Sequence, residues 1–241
     1  IEESHIEDAR NSITKLLDIS DLSGFKFCDV GSGSGIYSLA ARSLGAYVYS
    51  FDYDKESVES TEKLKQLYNP NCEDWIIKQG SVLDKNYMSN LEEFDYVYSW
   101  GVLHHTGDLR QSLENIGSLV KANGYLILAI YNKQILLSSY WKIIKKLYVT
   151  IKLLRPFIFF FHLPIIFPQI LRSFIFKRKL KRGMIILNDY IDWIGGYPFE
   201  VASREEVKNF YDKKGYKLVR CISVGRSLGC NEFVFKKISP C

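Results

Sequence analysis

Gly31, Gly33 and Gly35 stand at every second position in the run Asp29-Val-Gly-Ser-Gly-Ser-Gly35, directly after an apolar stretch that ends at Val30. Glycine permits a tight strand-to-helix turn and lets a ligand approach the bare backbone. The run therefore predicts free backbone N–H groups at a helix start, beside a small molecule. A dinucleotide fingerprint requires G-x-G-x-x-G, with its third glycine where this chain has Ile36. A second apolar run, 46–51, ends in Asp52, 17 positions past Gly35. An acid roughly 20 positions beyond such a loop accepts ribose hydroxyls in doubly wound folds. Tyr53, beside it, is placed to cover one face of an adenine.

His104 and His105 offer a second kind of chemistry. Unperturbed imidazole titrates near pH 6.5, so either can take a proton from a hydroxyl or an amine. The bland alternative is that they cap the following helix or pack as neutral wall residues. No acid follows them before Asp108, and two adjacent histidines lack the convergent third ligand that zinc needs. No metal site is expected. Further along, Asp189, Asp192, Trp193, Gly195, Gly196, Tyr197, Pro198, Phe199 and Glu200 read as a polar-aromatic loop. Its acids suit contacts to substrate hydroxyls or amines.

The elements that must position these groups alternate along the chain. Residues 5–19 read as a leading helix, with Ile6, Ala9, Ile13, Leu16 and Leu17 on one face. Strands are expected at 25–30, 46–51, 75–79, 96–100 and 125–131, with helices from Ile36, from Lys55 and over 109–120, and a turn at Asn123-Gly124. That alternation means a parallel, doubly wound sheet. Ser203 and Glu206 are spaced as a capping box for a helix over 203–214. Two strands, 216–224 and 232–237, then follow with too few residues between them for a helical crossover, so they should be antiparallel. Ligands in such sheets bind beyond the carboxyl ends of the strands, which brings in Ser81 and Val82, Trp100, Tyr131 and, at the start of the antiparallel strand, Asn231.

A chain of 241 residues with 47% hydrophobic and 15% aromatic side chains builds one substantial core and is not disordered. Its five cysteines, at 28, 72, 221, 230 and 241, form no C-x-x-C pair. They read as reduced thiols of a cytoplasmic protein. The opening Ile-Glu-Glu-Ser-His does not resemble a signal peptide and, lacking Met, points to a start further upstream. The net charge of +5 is unevenly spread: from Lys133 to Arg182 there are twelve Lys or Arg and no acid. Subtracting that +12 from +5 leaves −7 for the remainder.

The basic stretch is an insertion where the fold needs only a short link. Residues 135–154 read as an amphipathic helix with Lys142, Lys145, Lys146 and Lys152 on one side and Ile144, Leu147, Tyr148 and Ile151 on the other. Pro156 to Pro168 carries no acidic, Lys or Arg side chain, and Lys177 to Arg182 is a second basic cluster. The apolar part is too short and too rich in proline for a transmembrane helix. It reads as a helical cap over a substrate pocket, with peripheral contact to an anionic membrane through 133–182 as the sharper alternative. The Phe and Ile run is too apolar for a nucleic-acid groove.

Taken with Gln79-Gly-Ser-Val-Leu-Asp84, Ser99-Trp-Gly-Val-Leu-His-His-Thr106, Gly195-Gly-Tyr-Pro-Phe-Glu200 and Cys230-Asn-Glu-Phe-Val-Phe235, the glycine run resembles a bacterial subgroup of class I S-adenosylmethionine-dependent methyltransferases, similar to ubiquinone-type methylases. The resemblance implies a Rossmann-like seven-stranded α/β sheet, strands one to six parallel and the last antiparallel, with a helical cap after strand five. It divides the chain into a core of 1–132 and 198–241 and a cap of 133–197. It implies S-adenosylmethionine held by Asp29, Gly31, Ser32, Gly33, Gly35, Asp52, Tyr53, Ser81, Val82 and Trp100, with Ser81 near the adenine amino group and Val82 on its ring. The acceptor-site candidates are Tyr131, Asp192, Trp193, Tyr197, Glu200 and Asn231, with His104 or His105 as base. The implied reaction is methylation of an oxygen or nitrogen on a small molecule, the lipid-linked, sugar and secondary-metabolite classes being in view. The alternatives are RNA or protein methylation, and a scaffold that binds the cofactor without turnover.

Overall fold

The computed structural model describes residues 3–164, 186–225, 227 and 229–239. The described strands form one sheet in the order β3-β2-β1-β4-β5-β7-β6. They are β1 Lys26–Val30, β2 Tyr47–Asp52, β3 Trp75–Gln79, β4 Phe94–Trp100, β5 Val120–Tyr131, β6 Tyr216–Ile222 and β7 Cys230–Lys237. The pairs among β1 to β5 are parallel, and β7 runs antiparallel to both β5 and β6. The helices are α1 Glu3–Leu17, α2 Ile36–Ser43, α3 Lys55–Tyr68, α4 Lys85–Ser89, α5 Leu109–Ser118, α6 Ile135–Thr150, α7 155–164, α8 Ile186–Gly195 and α9 Arg204–Asp212.

The pleat sends alternate side chains to opposite faces of the sheet. Cys28, Val30, Leu126, Leu128, Phe233 and Phe235 enter a core roofed by α4, α5 and α9. Phe27, Ile127 and Val234 enter a second core under α1, α2 and α3. Each such side chain contributes about 1.5–3 kcal/mol when fully buried. After β2, β3 and β4 the chain turns into a helix capped by an aspartate, Asp54, Asp84 and Asp108 respectively, each accepting backbone N–H bonds. The strand carboxyl ends and these helix starts therefore share one edge of the sheet.

Three local expectations are corrected. Asn123-Gly124 is not a turn ahead of β5: the strand begins at Val120, and its register on β4 jumps between Phe94 and Tyr96. Asn123 takes a left-handed φ of 64° there, which makes the pair a bulge within the strand. Residues 189–195 are helical, not loop, because Tyr190 and Ile194, one turn apart, are both buried. The third correction concerns Lys145 on α6, whose Ile144, Leu147 and Tyr148 pack inward as expected. Its buried residues are Ser138, Trp141 and Lys145, while Ile135, Leu136 and Ile143 are exposed. Lys145 is thus on the inner face, not with the solvated lysines.

α6, α7 and α8 pack around a third cluster that includes Trp141, Ile158, Tyr190, Ile194 and Phe199. Among the described residues no single helix is long and apolar enough to cross a membrane; α6 and the segment Lys152–Pro164 are apolar together but bent by 114°. The cluster Lys177 to Arg182 lies outside the described residues.

α9 begins with the expected capping box: Ser203 Oγ accepts the Glu206 N–H at 3.1 Å, and Glu206 Oε2 accepts the Ser203 N–H at 2.7 Å. Ser203→Ala should cost about 1 kcal/mol of stability, read as a shift in urea midpoint with an unchanged slope.

Candidate active site

Gly31, Gly33 and Gly35 take φ of 77°, 55° and 77°, the left-handed region that other residues adopt only under strain. At Gly31 a Cβ would lie 2.5 Å from the Val102 methyls, and at Gly35 2.7 Å from Thr61 Cγ2. Gly33 faces open space. The loop is therefore pressed between the end of β4 and α3.

Its amides are not the free donors expected. Gly31 and Ser32 N–H donate to Phe51 O at 2.8 and 3.2 Å, Gly33 N–H to Asp52 Oδ2 at 2.9 Å, and Gly35 N–H to Ser32 O at 2.8 Å. The reason is proximity: the turn leaves β1 beside the end of β2, whose carbonyl and carboxylate take the protons. Asp52 Oδ1 also accepts the Asp54 N–H at 2.9 Å. Thr61, which sequence reasoning missed, donates to Gly33 O at 3.1 Å and lies 3.3 Å from Ser32 Oγ.

A crevice of about 510 Å³ opens over this loop, within the range of small-molecule sites. Gly31, Asp52, Tyr53, Ser81, Val82 and His105 line it together, with Val102, Thr106 and Pro198, which were not foreseen. Ser81 Oγ accepts the Leu83 N–H at 3.2 Å, and Tyr53 is 78% exposed, its ring free to close over a ligand. A wider hollow of about 1140 Å³ lies between α1 and α2. It sits where the helices return the chain to the strand starts, away from the ligand-binding edge of such sheets.

Two donor-site candidates point elsewhere. Asp29 is buried and accepts the Ser38 hydroxyl at 2.5 Å; Ser50 donates to Ser38 at 2.7 Å, and Trp75 Nε1 donates to Ser50 at 2.8 Å. Burial, reinforced by the nearby charge of Asp52 and opposed by Ser38, pushes Asp29 up to about 7. Trp100 packs on the α1–α3 side of the sheet and does not line the crevice.

On the acceptor side, His105 Nδ1 bonds to Pro198 O at 2.7 Å. Since a carbonyl only accepts, Nδ1 carries the hydrogen and Nε2 keeps its lone pair. His104 is 1% exposed, with neither ring nitrogen in a hydrogen bond of good geometry. Its ring centre lies 4.0 Å from that of Tyr131. Burial chiefly, then the charges of His105 and Lys145, hold His104 well below the usual imidazole range, the Ala129 carbonyl pulling the other way. Burial also lowers His105, against the Pro198 bond.

The remaining candidates divide. Tyr131, Trp193 and Tyr197 pack into the cluster formed with α6 and α8. Glu200 is bound to the start of α5, Oε2 accepting the Leu109 N–H at 2.9 Å. Asn231 ties Asn132 Oδ1 (3.0 Å) to the Val224 N–H (3.1 Å). Both are committed to the framework. The backbone of Asp192 lies in α8, and its side chain is outside the described set. Lys145 was missed as a site residue. Burial pulls it down to about 7, and its one sequence signal is the spacing to Ser138 and Trp141 along one helix face. Among the described residues no three His, Cys, Asp or Glu side chains gather as metal ligands.

Residues 28–126, which carry the glycine loop, Asp52 and the crevice wall, match a family model described as a methyltransferase domain. Residues 28–126 are thus a methyltransferase domain, set in a fold of the class I S-adenosylmethionine-dependent kind. It is 29% identical to the mitochondrial ubiquinone biosynthesis O-methyltransferase of Bos taurus over 112 residues, 46% of this chain and 30% of that protein. It is 33% identical to the ribosomal protein L11 methyltransferase of Prochlorococcus marinus (strain MIT 9515) over 120 residues, 49% of this chain and 39% of that one. The chain thus spans less than half the length of the curated relatives it matches. Its fold is similar to that of magnesium protoporphyrin IX methyltransferase from Synechocystis PCC 6803 with bound SAH: TM-score 0.60 at 15% identity, covering 97% of this chain and 83% of the other.

A carboxyl that protonates more readily in the folded chain than in the unfolded one adds stability at low pH, and the addition is lost as pH rises through the folded value. Asp29, raised to about 7, is such a group. Asp29→Asn should therefore lose the component of stability that in the wild type declines between about pH 4 and about pH 7. Urea melts of both proteins across that window measure it.

Proposed function

We propose that this methyltransferase moves the methyl group of S-adenosylmethionine to an oxygen or nitrogen of a small molecule that enters beneath the 133–197 insertion. The observation that carries this is the adjacency of the crevice over Gly31 and Asp52 to the aromatic cluster of the insertion, with His105 touching both. Asp52 suits the ribose hydroxyls, Tyr53 and Val82 the two faces of adenine, and Ser81 its amino group. The open side of Gly33 admits close approach of the ligand. When bound, S-adenosylmethionine supplies a methyl group already activated on a sulfonium, so alignment of the acceptor contributes much of the rate. His105, neutral and with Nε2 unprotonated, is suited to take the acceptor's proton; His104, sealed from solvent, is suited to hold the His105 ring and Tyr131 in place.

The relatives do not choose the acceptor: one acts in ubiquinone biosynthesis and another bears the name of a ribosomal protein. Both matches span about half of the chain, and the family match ends at residue 126, before the insertion. A small acceptor is favoured by the enclosure of the histidine pair, His104 being 1% exposed and His105 partly buried. The outer face of the insertion supports a second element of the proposal, peripheral contact with an anionic membrane. Leu136, Leu153, Phe157, Phe160 and Phe161 are all at least 66% exposed, interleaved with exposed Lys142, Lys146 and Lys152. Apolar side chains flanked by cations bind the headgroup region of acidic bilayers.

Asp52→Ala should weaken S-adenosylmethionine binding about tenfold or more, as expected for losing charge-assisted hydrogen bonds. Calorimetry reads this directly, and unchanged affinity would remove Asp52 from the site. In flotation with vesicles of phosphatidylcholine and phosphatidylglycerol, the wild type should rise with the lipid at low salt and detach at high salt. Changing Phe157, Phe160 and Phe161 to serine should abolish co-flotation, whereas a wild type that stays at the bottom at low salt refutes the membrane contact.

A further inference from the structure

Lys145 is fully buried, 0% exposed, in a helix that leaves Ile135, Leu136 and Ile143 exposed. Its Nζ has no hydrogen-bond partner. It rests 4.2 Å from the centre of the Trp193 ring and 5.0 Å from that of Phe199. Phe199 packs on Tyr131 at 5.3 Å, and Tyr131 on His104 at 4.0 Å. His104 is likewise buried, with neither ring nitrogen in a hydrogen bond of good geometry. Lys145, His104 and His105 therefore form a basic group, near enough that the lysine charge depresses both imidazoles.

Among the described side chains no acid pairs with Lys145. Glu200 spends its carboxylate on the start of α5, and Tyr190, buried beside α6, offers a neutral phenol. Burial is the one cause acting on Lys145, with no carboxylate among the described side chains holding its proton. If packing were the only demand, an apolar side chain of this length would meet it without desolvating an amine. A buried amine set among flat aromatic faces, with no acid against it among the described side chains, is half of an ion pair.

We propose that the acceptor is a small aromatic carboxylate whose anionic group seats against Lys145 Nζ. This deepens, and rests on, the reading of the insertion as the acceptor-binding part. The carboxylate completes the pair in a water-poor setting, where the attraction is strongest, and the aromatic ring stacks on the faces of Trp193, Phe199 and Tyr131. In this structure those rings close over Nζ, so the acid enters as Trp193 and Phe199 part. With its charge fixed at Lys145, the rest of the acceptor extends past Tyr131 toward His105 and the donor crevice.

The test is calorimetry on the protein loaded with S-adenosylhomocysteine, using benzoate and its uncharged analogue benzyl alcohol as probes. Benzoate should bind at least tenfold more tightly than the alcohol. Lys145→Met, which keeps the length and fills the aromatic nest, should abolish that preference, and Lys145→Arg should retain it. Unchanged S-adenosylhomocysteine affinity in both variants reports an intact donor site. Equal binding of the two probes, no benzoate binding by protein that binds S-adenosylhomocysteine, or a preference surviving in Lys145→Met would each overturn the proposal. Failure to bind S-adenosylhomocysteine at all would instead count against the methyltransferase reading beneath it.

Discussion

The bond from the Gly33 N–H to the carboxylate of Asp52 joins the glycine loop to the end of β2. One oxygen of Asp52 holds the glycine loop and the other holds the Asp54 N–H at the head of α3. The crevice therefore has a floor whose shape is fixed before any ligand arrives. The constraint extends to β4 through Gly31, where only a missing Cβ lets the Val102 methyls approach. Val102 in turn opens the short turn Leu103–His105 that carries the histidines. A side chain at Gly31 would thus disturb both the floor of the donor crevice and the residues that face the acceptor.

That construction explains why the loop amides are consumed internally. A phosphate would call for several open N–H groups, and the amides of Gly31, Ser32, Gly33 and Gly35 are all occupied. What the loop offers is a close, preorganised backbone next to a carboxylate, which suits a ligand with ribose hydroxyls and no phosphate. Asp29 belongs to the same economy. Its place at the end of β1 resembles a ligand position, yet it closes a hydrogen-bond relay through Ser38 and Ser50 to Trp75 and so locks α2 onto the sheet.

The sheet was legible in the sequence because its signals are local and redundant. The run 75–79 is β3 residue for residue, and the Ser203 and Glu206 spacing is the capping box observed. The wall of the crevice was legible through Gly31, Asp52, Ser81 and Val82, since strand ends in this topology converge. What failed depended on partners distant in the chain. Glu200 and Asn231 are polar residues near the ligand edge, but the Leu109 N–H and Asn132 claim them first. Nothing in a strand-end position reveals that prior claim. The helix at 186–195 was hidden by its polar residues and terminal glycine pair, although Tyr190 and Ile194 carry the helical period.

The place of Lys145 on α6 is the deepest of these misreadings, although Ile144, Leu147 and Tyr148 pack inward as expected. Hydropathy alone assigns lysines to water and isoleucines to the core. Here Trp141 sets the buried face by packing on Trp193 at 4.3 Å, and Lys145, one turn on, must follow it inward. The same rotation turns Ile135, Leu136 and Ile143 outward. A helix that buries an amine and leaves Ile135, Leu136 and Ile143 exposed is poorly matched to a monomer in water on both counts. Each mismatch is relieved by a partner of opposite character: an anion at Nζ inside, and an apolar, negatively charged surface outside. On the two proposals made above, an anionic acceptor and an acidic bilayer would meet opposite faces of this one helix.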